Sequence, residues 1–227
     1  MANDPFTEAI KLAVDPLYQP SERFLLAFYD FAYRLNSLQR HWESTRHFIA
    51  RYLTDLRAVR TDGSAEMEMI KDEFLSDEEY FPEFLRGAVI SHSLALLENL
   101  LSDVVEEVAS DLGTLTVLDE RQLPYVNRYI LFLTRTGGLE LEIGKDLWRK
   151  LDAIRELRNR YIHKLDRDLP SQIKATLARM ADEAQSDEKL VDDAFVDSGL
   201  SVVAELAGKL DCAYWRWFEK REGLNSA

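Results

Sequence analysis

Arg158, Asn159 and His163 are the residues whose types and spacing could do chemistry together. They stand in the run Leu157-Arg158-Asn159-Arg160-Tyr161-Ile162-His163-Lys164, an Arg-Asn-x-x-x-His pattern late in an amphipathic stretch. On a helix, Asn159 and His163 are i and i+4, and Arg155 lies one turn further back, so these three align along one face. Arg158 is five residues from His163, and at about 100° per residue it lies about 140° around the helix. Its long side chain must reach round to the same cleft, or it must meet His163 through a second copy of the helix. Either way a permanently charged guanidinium approaches an imidazole that titrates near neutral pH. That set suits RNA cleavage by the neighbouring 2′-hydroxyl, with the imidazole as general base or acid and the guanidinium stabilising charge that develops on phosphate. Such chemistry needs no metal and no cofactor. The sequence also offers no metal-ligand array: His41, His47, His92 and His163 form no His-Glu-x-x-His, and Cys212 stands alone.

The charge around the motif fits an anionic ligand. From 149 to 167 there are seven basic residues (Arg149, Lys150, Arg155, Arg158, Arg160, Lys164 and Arg167) against Asp152, Glu156 and Asp166, a local +4. Arg155, Arg160 and Lys164 are therefore candidates for RNA contact. Simpler roles compete with these. His163 also suits a helix C-terminus, where it complements the dipole. Arg158 also suits an ion pair with a carboxylate on a neighbouring helix. His41 and His47 read as surface residues, His92 as a hydrogen-bonded interior histidine and Cys212 as a buried thiol. Trp148, Trp215 and Trp217 read as core or dimer-contact aromatics.

The elements that must position the motif are helices. Ser21 is a candidate N-cap for a stripe of Phe24, Leu25, Phe28, Phe31, Leu35, Leu38 and Trp42, which extends to about Val59 as one long helix or two with a break. Residues 66–83 carry eight acids against Lys71 and read as a solvated connection, with Ser76 as a possible cap. A second apolar helix gathers after Pro82 and ends near Gly113. A third spans about 120–135 and closes at Gly137-Gly138. The motif helix covers about 145–165, with Leu147, Trp148, Leu151, Ile154, Leu157, Tyr161 and Leu165 inward. One or two short helices and a loop follow across 172–196, and a last helix covers about 199–220. This predicts an all-α antiparallel bundle over 76–227, with a helical N-terminal extension, 1–75, packed on it.

Composition narrows the setting. A net charge of −13 argues against general DNA binding, because phosphate contacts supply most of that affinity. One cysteine permits no internal disulfide, the first residues lack a signal-peptide layout, and no apolar run approaches the roughly 18 to 20 residues of a membrane span. The expectation is a cytoplasmic protein without membrane contact.

The motif, its late-helix position and the earlier helix bearing Ser93-Leu94-Ala95-Leu96-Leu97-Glu98-Asn99-Leu100 together resemble the HEPN superfamily of helical-bundle domains. Its signature is Arg, then four to six residues, then His, often with Asn directly after the Arg. Arg158, Asn159 and His163 match these positions over about residues 80–220. The resemblance implies a homodimer in which two motif helices face each other in a composite site. For active members it implies metal-independent endoribonuclease activity on RNA, commonly in toxin–antitoxin, abortive-infection and other antiviral defence systems, with an antitoxin or regulatory protein as a further partner. Glu98 resembles an acidic residue that some members place near the site, and Tyr161 is a second accessory candidate. Two other classes fit the same helices: a non-catalytic dimeric interaction module, and a nucleotide-binding module dependent on a partner protein. The first 75 residues and the acidic segment 182–197 match neither the motif nor the bundle pattern.

Overall fold

The computed structural model describes residues 16–21, 25–58, 63–114, 124–163, 170–182 and 192–223, except for the side chains at 56, 75–81, 83, 160–163 and 181–182. The described residues form six helices and no strand: α1 (Leu26–Arg57), α2 (Ala65–Leu112), α3 (Tyr125–Arg135), α4 (Lys145–His163), α5 (Ser171–Asp182) and α6 (Asp193–Glu222). The all-α expectation holds. α2 is the central element, packed against α1, α3, α4 and α6, while α5 lies on α4 and α6.

The long amphipathic stretch after residue 25 is one helix without a break. Phe28, Phe31, Leu35, Trp42 and Ile49 are its buried stripe, at three-, four- and seven-residue steps. Ser21 does not cap it. Its N–H and hydroxyl instead donate to Asp211 of α6, at 2.7 and 3.1 Å.

The acidic stretch 66–83 is not a connection. It is the first part of the 48-residue α2, whose cap is Ser64 rather than Ser76: the Ser64 hydroxyl accepts from the Met67 N–H at 3.3 Å. Glu66 and Glu68 sit in the first turn, where carboxylates favour the positive end of the helix dipole. Pro82 lies inside the helix. Proline there removes one hydrogen bond and costs about 3 kcal/mol, which burial further along must offset. That burial is large: Leu97, Leu101, Val104, Val105 and Val108 are all 0 % exposed. The backbone runs as helix through 75 and 76, so no break marks the expected boundary between extension and bundle.

One expectation about apolar runs needs correcting. Phe84–Leu112 is long and apolar enough, by length and composition, to cross a membrane, because averaging over a window tolerates Glu98 and Asp103 where an uninterrupted run does not. Its apolar residues serve the bundle, with 56 % of the window buried against other helices.

α3 ends as its two glycines suggest. Gly138 takes φ +71, and the Leu139 N–H returns to the Leu133 carbonyl at 2.9 Å. α4 buries Leu147, Leu151, Ile154 and Leu157. α6 starts six residues earlier than its apolar pattern suggests, because the Asp192 carboxylate caps it by accepting from the Phe195 N–H at 2.8 Å. Gly199 is therefore not at the helix start but inside α6, where it crosses α2. A Cβ there would lie 2.6 Å from Ile90 Cδ1.

Two single-residue expectations also fail. His92 is exposed, not interior: it lies about 200° around α2 from the fully buried Ile90. Cys212 is exposed, although Asp211 and Ala213 on either side of it are buried. His41 and His47 are on the surface as expected.

Candidate functional site

α4 presents the motif against the middle of α2. Leu151, Ile154 and Leu157 seat α4 in the core, and this fixes which residues sit at the rim of that contact. Arg158, next to buried Leu157, is one of them. Its Nη1 lies 3.7 Å from Oε1 of Glu98 on α2, with both side chains about a quarter exposed. At that distance the pair is ionic without a hydrogen bond. The Arg158 Nε is buried and has no hydrogen-bond partner. The guanidinium is thus held by charge on one side, while its Nε is closed off from solvent and unpaired.

Beside this pair, α2, α3 and α4 border a narrow, shallow cleft of about 20 Å³, room for a single water. Its floor is apolar, from Leu94, Val126, Trp148 and Leu151, and its polar edge comes from Glu98, Asn127, Asp152 and Arg155. Glu98 therefore has two roles, facing Arg158 and lining the cleft. Trp148 is half-buried against the core while also lining the cleft; Trp215 and Trp217 pack on the core at the end of α6.

The basic character of α4 is largely balanced where it is described. Arg155 pairs with Asp152 at 2.6 Å and with Glu156 at 2.8 Å, and Lys150 pairs with Asp146 at 3.3 Å. Among the described residues, the local +4 counted along the chain is partly neutralised within the fold, with Arg149 exposed. Asn159 is half-buried. The backbone of 160–163 is helical, so Asn159 and His163 keep their one-turn separation. The side chains of Arg160, Tyr161 and His163, and the whole of Lys164, lie outside the described residues.

Of the residues singled out from sequence, the structure brings together Arg158, Glu98 and Arg155. It adds Asn127 and Asp152, which sequence reading missed. Asp152 had a local signal, being i−3 from Arg155 on one helix face. Asn127 had none, since its role depends on α3 folding over α2. Among the described residues no group of three or more His, Cys, Asp or Glu is placed to hold a metal ion. No family model, curated protein or solved structure matches the chain.

Proposed function

We propose that the chain is a HEPN-type, metal-independent endoribonuclease acting as a homodimer, with His163 as general acid or base, Arg158 stabilising charge on the scissile phosphate and Asn159 orienting the imidazole or the substrate. The observation that carries the reading is the placement of Arg158: a partly buried guanidinium held loosely by Glu98, whose own side chain lines the neighbouring cleft. The Arg158 side chain is about a quarter exposed, so its Nη donors stay within reach of a phosphate. Loose retention by Glu98 fits a positioning role, in which the carboxylate fixes the guanidinium until phosphate displaces it.

Purified dimer incubated with RNA and EDTA tests the reading. Cleavage is expected in the chelator, with loss of roughly a hundredfold or more in His163→Ala and comparable loss in Arg158→Ala. Equal cleavage by wild type and variants, or cleavage by none, rejects it.

A second reading rests on a different observation. Among the described residues, Arg155 and Lys150 are neutralised by acids on their own helix and do not offer free charge to a polyanion. A non-catalytic dimeric interaction or nucleotide-binding module, dependent on a partner protein, is consistent with that. Binding of a mononucleotide by the purified chain without RNA turnover would favour it.

A further inference from the structure

The end of the bundle where α1 leads into α2 gathers much of the exposed apolar surface. Among the described residues twelve large apolar side chains are exposed, and six of them stand here: Phe48 and Tyr52 on α1, and Met67, Met69, Ile70 and Phe74 on α2. Met67, Ile70 and Phe74 fall at i, i+3 and i+7, one stripe of α2, and are 45, 49 and 47 % exposed. Lower on the same two helices, Phe31, Leu35 and Leu97 are closed from solvent. Exposed apolar residues scattered singly are ordinary, whereas a clustered set in regular spacing marks an interaction surface. Two methionines in the set give that surface side chains that re-pack readily around a partner.

Charge decides what covers it. From 47 to 83 the chain carries ten acids against Arg51, Arg57, Arg60 and Lys71, a net −6. Glu66, Asp72 and Glu73 are exposed, and Glu66 and Glu73 stand at i−4 and i+3 from Ile70, its neighbours on the helix surface. A second copy would bring the same negative charge and be repelled. None of the chain's own segments outside the described residues carries net positive charge: 1–15 has three acids against Lys11, and 183–191 has three against Lys189. Nucleic acid is repelled by the same field. What fits is a ligand that brings an apolar stripe and positive charge together, as an amphipathic helix laid on an apolar face does.

We infer that the α1–α2 end docks a basic amphipathic segment of another protein, whose apolar face covers Met67, Ile70 and Phe74 and whose lysines or arginines meet Glu66, Asp72 and Glu73. Phe74 lies 24 positions before Glu98 on α2, about 36 Å along the axis at 1.5 Å per residue. The docking surface is thus separate from the α4 motif, and neither depends on the other.

A synthetic peptide of leucine and lysine, about 18 residues or five helical turns long, with leucine at i, i+3, i+4 and i+7 spacing, is the probe. Its binding to the full chain is read by fluorescence anisotropy at physiological ionic strength. The patterned peptide is expected to bind, the same pattern with glutamate for lysine is not, and a scrambled leucine–lysine peptide is expected to bind roughly tenfold or more weakly. Ile70→Ser, at a half-exposed position, should weaken binding roughly tenfold with an unchanged helical circular dichroism spectrum. Glu66→Gln/Glu73→Gln should weaken it about threefold or more. Glu106→Gln/Glu142→Gln, which removes two exposed acids elsewhere, should leave it unchanged. Equal binding of patterned and scrambled peptides, or equal loss from the two acid pairs, overturns the inference, because net charge alone then captures the peptide. Absence of binding by the patterned peptide overturns it as well. So does sedimentation in which the wild type associates and Ile70→Ser does not, which gives the surface to a second copy. Hydrogen exchange at 65–74 that rises when residues 1–15 are deleted also overturns it, by giving the surface to this chain's own N-terminal segment.

Discussion

Glu98 and Arg158 are sixty positions apart in sequence, and what they do for each other is decided by geometry rather than by charge alone. An ion pair at 3.7 Å with both partners about a quarter exposed contributes at most about 1 kcal/mol to stability. Glu98→Gln should therefore shift the melting temperature by only a few degrees, while removing the carboxylate that competes with phosphate for the guanidinium. On a His163→Ala background, where RNA is not turned over, affinity for a short RNA is expected to rise roughly threefold or more by fluorescence anisotropy. Weaker binding would show that the positioning of Arg158 by Glu98 outweighs this competition. Asp211 is the opposite case. It is 3 % exposed and accepts from the Tyr18 hydroxyl at 3.1 Å and from both the N–H and the hydroxyl of Ser21. Burial, and then Asp211, push the Tyr18 phenol well above its ordinary range, so this hydroxyl stays protonated and remains a donor. Asp211→Ala strands those donors and should cost about 2–4 kcal/mol in urea unfolding. Chemical patterning along the chain indicated the motif residues but not these partners. A buried aspartate that clamps residues 18 and 21 from position 211 has no local signature.

At the scale of elements, apolar periodicity was a good guide wherever a helix buries a stripe, as in α1 and α4. It failed at 66–83, where acids dominate the pattern and the apolar Met67, Ile70 and Phe74 stay about half exposed. There the helix rests on the Ser64 cap, the first-turn acids and residues of high helix propensity such as Glu, Met and Lys. Its existence was legible in propensity and hidden in patterning. The start of α6 was missed for a related reason: an N-cap aspartate in an acid-rich stretch does not stand out. Gly199 shows how tightly the elements then pack. In a helix interior, replacing glycine with alanine ordinarily stabilises by about 0.5–1 kcal/mol. Here the new methyl meets Ile90 Cδ1 at 2.6 Å in a side chain that is 0 % exposed. Ile90→Val removes that atom. A double-mutant cycle should therefore show Gly199→Ala/Ile90→Val more stable than the two single changes predict, by about 0.5–3 kcal/mol. Additivity in urea denaturation would mean that α2 and α6 separate to admit the methyl.

For the whole molecule, the question is how a chain of net charge −13 would engage RNA. A broad cationic face and a narrow site predict different salt dependences, because each phosphate neutralised on a single strand contributes a slope of about −0.7 to log K against log salt. If all seven basic residues between 149 and 167 met phosphates, the slope would approach about −5. The structure argues for fewer. Arg155 and Lys150 are already balanced by Asp152, Glu156 and Asp146 on their own helix, and Arg158 shares its charge with Glu98. A phosphate must displace these carboxylates, and the acidic surface beyond them repels the rest of the strand. Two or three effective contacts are expected, hence a slope between about −1.4 and −2 for a short single-stranded RNA on catalytically silent His163→Ala protein. Anisotropy titrations across a range of potassium chloride concentrations measure it directly. A slope steeper than about −3 would mean that the local positive charge acts as an open surface, contrary to the pairings along α4.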